Sequence, residues 1–133
     1  MKKRWLFITL IIMFFIFFFS SQNGQQSSHT SGLFTTLVLN IFPFLDKNTL
    51  SFLIRKAAHF AIFGFLGYSL YKIEERTLYK PLIISFFYAC SDEIHQLFVN
   101  NRAGQFRDVL IDTCGALIFI IIAKKKSSKK NSS

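Results

Sequence analysis

Cysteine is nearly absent. Cys90 and Cys114 are the only two, and both lie inside apolar runs, where a free thiol behaves as a small hydrophobe. A disulfide framework and a thiolate zinc site are therefore excluded. Motifs with a known chemistry are missing too. The two histidines near the candidate site, His59 and His95, match no zinc-helix pattern such as H-E-x-x-H. No G-x-S-x-G elbow surrounds Ser85 or Ser91, so serine catalysis has no support. No nucleic-acid recognition motif accompanies the net charge of +9. The sequence assigns no metal and no cofactor. No A-x-A-like site follows the first apolar run, which argues for an uncleaved helix over a signal peptide.

What the chain has is phenylalanine and apolar length. Eighteen of its 133 residues are Phe, and 51% are hydrophobic. A soluble domain of this size buries only part of its surface, so lipid is the natural solvent for the remainder. The pattern predicts an all-α, polytopic membrane protein: a four-helix transmembrane bundle with a short interfacial helix. The spans fall at about 5–21, 49–72, 81–98 and 108–123, within one domain over 1–126. The interfacial helix falls at Leu33 to Leu45, after a polar loop from Ser20 to Ser31. Asn48 is the expected N-cap of the second span, and Pro81 suits the first turn of the third. Residues 127–133 read as a disordered basic tail.

Basic residues cluster at Lys2 to Arg4, in the 72–80 connector and from Lys124 to Lys130. With four spans these segments share one side, and the positive-inside rule makes it the cytoplasm. The expected location is thus the cell membrane, multi-pass, with both termini cytoplasmic. Nucleic acid is not an expected partner, because the basic residues flank lipid-type segments.

Length places the polar residues. The uncharged stretch Leu82 to Cys90 covers about 14 Å, against a hydrocarbon core of about 30 Å. The third span must therefore carry Asp92, Glu93, His95 and Gln96 toward the membrane. The fourth draws in Asp108 and Asp112, and the second His59. All of these fall at the outer ends of their helices. Arg55, Lys56 and His59 project from one side, Asp108 and Asp112 share a stripe with Gly115, and Ser85, Tyr88, Asp92 and Gln96 form another. Small residues such as Gly67, Gly115 and Ala116 allow close helix approach. The candidate mouth holds Arg55, Lys56, His59, Asp92, Glu93, His95, Gln96, Arg102, Asp108 and Asp112. Ionisable groups at membrane depth are costly, and function is the default reading. Four positive charges (Arg55, Lys56, Arg102, Arg107) meet four negative ones, which also describes a self-paired structural staple. A hydrogen-bonded pair of His59 and His95 is expected within the network.

The segments RKAAHFAIFGFLG (Arg55 to Gly67), YACSDEIHQLFVNNRAGQFRDVLIDTCGAL (Tyr88 to Leu117) and FFSSQ (Phe18 to Gln22) closely resemble the VanZ-like family of bacterial membrane proteins. The family's namesake is associated with low-level resistance to the glycopeptide antibiotic teicoplanin. The resemblance implies functional positions at Lys56, His59, Asp92, Glu93, His95, Gln96, Arg102, Asp108, Asp112 and Gly115. Many members carry Glu-Tyr where this chain has Ile62 and Phe63, Pro-Gly where it has Asn100 and Asn101, and Gly where it has Phe119.

Two functions follow as expectations. In the first, the outward mouth binds a lipid headgroup, a lipid-linked cell-wall precursor or the glycopeptide itself. Arg55, Lys56 and Arg102 would then contact phosphate. In the second, the protein is a membrane-embedded enzyme acting on a lipid-linked substrate. Asp92 or Glu93 would then be its acid or base, with His95 or His59 as proton partner. A transporter has little room in four short helices unless the chain forms homo-oligomers.

Overall fold

A computed structural model describes residues 1–74 and 77–131, the last two by backbone alone. It contains five helices in these residues: α1 (Lys2–Ser20), α2 (Gly24–Ile41), α3 (Lys47–Ile73), α4 (Tyr79–Leu97) and α5 (Phe106–Asn131). Glu75 and Arg76 of the charged connector lie outside the described residues, as do the final two serines.

Two helices, α1 and α3, are long and apolar enough to cross a membrane by length and composition. Their apolar stretches do not form a soluble core, since only 17% and 22% of each is buried. The accessible surface, 8876 Å² for 15.4 kDa, exceeds the ~7,200 Å² of a compact soluble chain of that mass. Much of the excess is large and apolar: Phe7, Phe14 and Phe17 on α1, Phe87 on α4, and Ile118 and Ile122 on α5 are all exposed. Patches of this extent mark a surface that meets lipid or another apolar phase.

The long helices alternate in direction. Near the start of α1, Thr9 Oγ1 donates to Ser69 Oγ at the end of α3, 2.9 Å away. At the other end of the molecule, Gln96 of α4 donates to Ser20 Oγ of α1. Hence α1 and α4 run one way, while α3 and α5 run side by side the other way. The interface of α3 with α5 is the most extensive in the molecule. Gly115 makes it possible: a Cβ there would collide with the Phe60 carbonyl, so the two backbones nearly touch. Farther along, Gly67 faces Ala116, and the Phe119 ring covers Gly64. Ile16, Phe63, Leu66, Ala89 and Val109 join the four long helices in one core, with Tyr71, Ile120 and Ala123 below.

Several sequence-based boundaries shift. The segment from Ser20 to Ser31 is mostly helix, not loop. Asn23 caps α2 by accepting from the Gln26 N–H at 2.9 Å, and the Gln26 side chain accepts from the Asn23 N–H at 3.1 Å. This reciprocal cap satisfies donors that water would otherwise take. The helix expected at Leu33 to Leu45 is therefore longer and starts earlier, and it stops before Pro43. Its polarity is inverted. Ser27, Ser31 and Thr35 are buried, while Leu33, Phe34, Leu37 and Ile41 face outward. Asp46, not Asn48, caps α3, accepting the Thr49 N–H at 2.8 Å. That bond holds its carboxyl below the ordinary value. The last helix continues through the lysine run to Asn131, where a disordered tail was expected from 127. Lysine is a good helix former, and extending an existing helix costs little.

Candidate functional site

Parallel packing of α3 on α5 puts two charged stripes in register. Lys56 pairs with Asp108 one turn above His59 and Asp112. The His59 Nδ1 to Asp112 Oδ2 distance is 3.8 Å, beyond hydrogen-bond reach. Asp112 is 1% exposed, and that same oxygen has no hydrogen-bond partner. Asp108 Oδ1 is likewise buried and unpartnered.

The stripe on α4 faces inward: Ser85, Asp92 and Gln96 are buried, and Tyr88 donates to the Met13 carbonyl at 2.8 Å. Gln96 donates to Asp92 Oδ2 at 3.1 Å and links it to Ser20. Glu93, one position on, accepts the Gln105 N–H at 2.9 Å and so ties the α4–α5 loop to its helix.

That loop delivers Arg102. It turns through Asn101 at φ 57°, a left-handed conformation that Asn tolerates better than most residues. Arg102 Nη1 donates to Ser27 Oγ of α2 at 2.8 Å, and the Gly24 N–H donates to the Asn100 carbonyl at 3.2 Å. Helix α2 thus closes one side of the site. Its capping pattern, Asn23 followed by Gln26, was the sequence signal for it, hidden in a serine- and glutamine-rich stretch that reads as loop. Arg102 Nε is buried with no partner. Burial draws its pKa below the ordinary value, and arginine starts so high that the charge persists.

A polar cavity of about 250 Å³ opens among these groups. Arg55, Lys56 and His59 line it from α3, Glu93 and Gln96 from α4, Arg102 from the loop, and Asp108 and Asp112 from α5. An apolar groove of about 210 Å³ adjoins it, walled by Ile16, Phe19, Phe34, Ile54 and Ile62. Arg55, His59 and Arg102 belong to both walls. Arg55 has no hydrogen-bond or ion-pair partner among the described residues.

Eight of the ten residues singled out by sequence therefore line one cavity. Asp92 sits against its floor, with a carboxylate oxygen within 4.8 Å of ligand atoms on His59 and Asp112. His95 departs. Its Nε2 lies 3.1 Å from Ser21 Oγ and its ring stacks on Phe17 at 4.6 Å, on the α1 side of α4. The expected His59–His95 pair is thus not formed, because each ring is engaged on a different side of α4. Ser91 donates to the Tyr88 carbonyl of its own helix and does not line the cavity.

The chain matches the VanZ/LLP1 family model over residues 5–127. It is a member of the VanZ/LLP1 family. No curated protein and no solved structure matches it. The matched region takes in every residue of the cavity. The departures from the common VanZ-like pattern now have positions. Asn101 takes the left-handed turn that glycine takes freely. Ile62 lies in the apolar groove wall, and Phe63 is wholly buried. Phe119 fills the space above Gly64.

Proposed function

We propose that this VanZ-family protein spans the membrane with both termini cytoplasmic and binds the phosphate-bearing headgroup of a lipid or lipid-linked cell-wall precursor at its outer face. The observation that carries this reading is the shared wall. Arg55, His59 and Arg102 border both the polar cavity and the apolar groove, the arrangement an amphiphile needs. A phosphate oxygen could take the unpartnered Arg102 Nε–H, and a second could take Arg55. The headgroup would occupy the cavity and the first part of an acyl or prenyl chain the groove. Occupying that precursor, or the surface around it, would lower teicoplanin access and susceptibility. The alternating directions of α1, α3, α4 and α5 suit four crossings, with the basic ends of α1 and α5 on one side.

Binding is tested with the full chain in zwitterionic nanodiscs, titrated with phosphatidylglycerol and with undecaprenyl phosphate. Binding of either, weakened about tenfold or more by Arg102→Gln and by Arg55→Gln, is expected. The drug phenotype is tested in a Gram-positive host lacking the native gene. Wild type should protect against teicoplanin, and an expression-matched Asp92→Asn/Glu93→Gln variant should not. Unchanged lipid binding in both arginine variants, or unchanged susceptibility, would sink the corresponding part.

A second reading, an enzyme acting on the same lipid-linked substrate, is favoured by one observation. The cavity holds an imidazole beside a buried carboxylate oxygen that has no other partner. Turnover of the bound lipid, abolished by Asp112→Asn with binding retained, would select it.

A further inference from the structure

Beneath the polar cavity, three side chains from three helices converge: His59 of α3, Asp92 of α4 and Asp112 of α5. One ligand atom from each lies within 4.8 Å of the others. We propose that these three residues bind a single divalent transition-metal ion, Zn²⁺ or Mn²⁺ in class.

The charges around the site point this way. Of the cavity's carboxylates, Asp108 has Lys56 and Glu93 has a backbone N–H. Asp92 and Asp112 have no Lys or Arg within ion-pair distance among the described residues. Two nearly buried carboxylates side by side with no Lys or Arg in contact repel each other, and a bound cation would neutralise them. Asp112 supplies the second sign. It is buried, and its Oδ2 faces His59 without a hydrogen bond. Native structures rarely leave a buried acceptor in that condition unless something unseen completes it. The 3.8 Å gap from that oxygen to His59 Nδ1 is too long for a hydrogen bond. It is close to the separation of two donors sharing one ion: bonds of about 2.1 Å hold neighbouring ligands about 3.0–3.4 Å apart. Rotamer adjustments of about 1 Å would close the set.

The surroundings resemble those of a built metal site. Gln96 donates to Asp92 Oδ2 and is itself linked to Ser20, which orients the carboxylate as outer partners of metal ligands do. One imidazole and two carboxylates form a mixed nitrogen and oxygen set, suited to first-row divalent ions. Three protein ligands leave coordination positions open toward the cavity, where Arg55 and Arg102 stand. A phosphate oxygen arriving there could bind metal and guanidinium together.

The test uses the full chain purified in detergent, stripped with a chelator and then given Zn²⁺ or Mn²⁺ alone in equilibrium dialysis. One ion per chain at micromolar free metal is expected. Asp112→Asn and His59→Ala should each weaken uptake at least tenfold, whereas His95→Ala, on the far side of α4, should leave it unchanged. Co²⁺ added to wild type should give a visible ligand-field band, and this needs no variant to fold. No stoichiometric uptake and no Co²⁺ band would overturn the proposal. So would uptake that survives Asp112→Asn in a folded protein. Lipid binding is measured separately in metal-free buffer, so a failure here leaves the headgroup reading standing, and the reverse.

Discussion

Lys56 and Asp108 form the cavity's direct ion pair, with side chains 25% and 11% exposed. A partly buried pair is more valuable intact than broken, because removing one partner strands the other. Lys56→Met should therefore destabilise the protein by about 1–3 kcal/mol, below the 3–5 of a fully buried pair. The companion Lys56→Met/Asp108→Leu should recover most of it. Thermal unfolding in detergent reads both, and equal losses in the single and the double variant would show that the charges do not couple. Asn101 offers a separate check. Its φ of 57° should make Asn101→Gly neutral or better and Asn101→Val costly by about 1–2 kcal/mol. Equal melting temperatures for the two variants would contradict the left-handed turn.

Helix faces explain why most of the site could be read in advance and why part could not. Arg55, Lys56 and His59, and Asp108 and Asp112, obey the spacing that puts residues three and four apart on one side. They meet as that spacing implies. His95 was read with Glu93, yet residues two apart on an α-helix point about 200° from each other. The helix geometry already contained that answer. The close packing of α3 on α5 had its signal in Gly67, Gly115 and Ala116. One other feature had none: Ser27 becomes a partner of Arg102 only through contact across 75 residues. The interface of α3 with α5 makes contrasting predictions. Gly64→Ala gains up to about 1 kcal/mol of helix propensity, but its methyl meets the Phe119 ring, an overpacking cost of about 1–3 kcal/mol. Phe119→Leu should relieve that cost, and a double-mutant cycle should show the coupling. Gly115→Ala meets backbone, the Phe60 carbonyl, so no side-chain truncation should rescue it. Rescue of Gly115→Ala by Phe60→Ala would refute the close approach of the backbones.

The course of the whole chain is open to chemical labelling. Cys90 and Cys114 lie within helices α4 and α5, and Cys114 is exposed, so both are replaced by Ser before new thiols are added. Lys47→Cys, at the exposed start of α3, should react with an impermeant maleimide on intact cells. Ser128→Cys should react only after permeabilisation. Labelling of both on intact cells would rule out the four-crossing arrangement with cytoplasmic termini. The all-helical class and the gathering of charge at one end of the long helices were legible because apolar length and charge position are written along the sequence. The inverted face of α2 was not, because a helix with serine inward and leucine outward imitates a surface loop.

Arg102 and Ser27 meet, and Gly24 meets Asn100, only after three-quarters of the chain has been made. A ribosome releases α1, α2 and α3 long before the loop and α5 that complete the cavity. Until then Arg55, Lys56 and His59 have no acid from α5 to face. The nascent protein must keep these three side chains without their acidic partners until Asp108 and Asp112 are made. Synthesis that stalls or ends before the last helix leaves a fragment with the basic wall of the cavity and none of the α5 acids that face it.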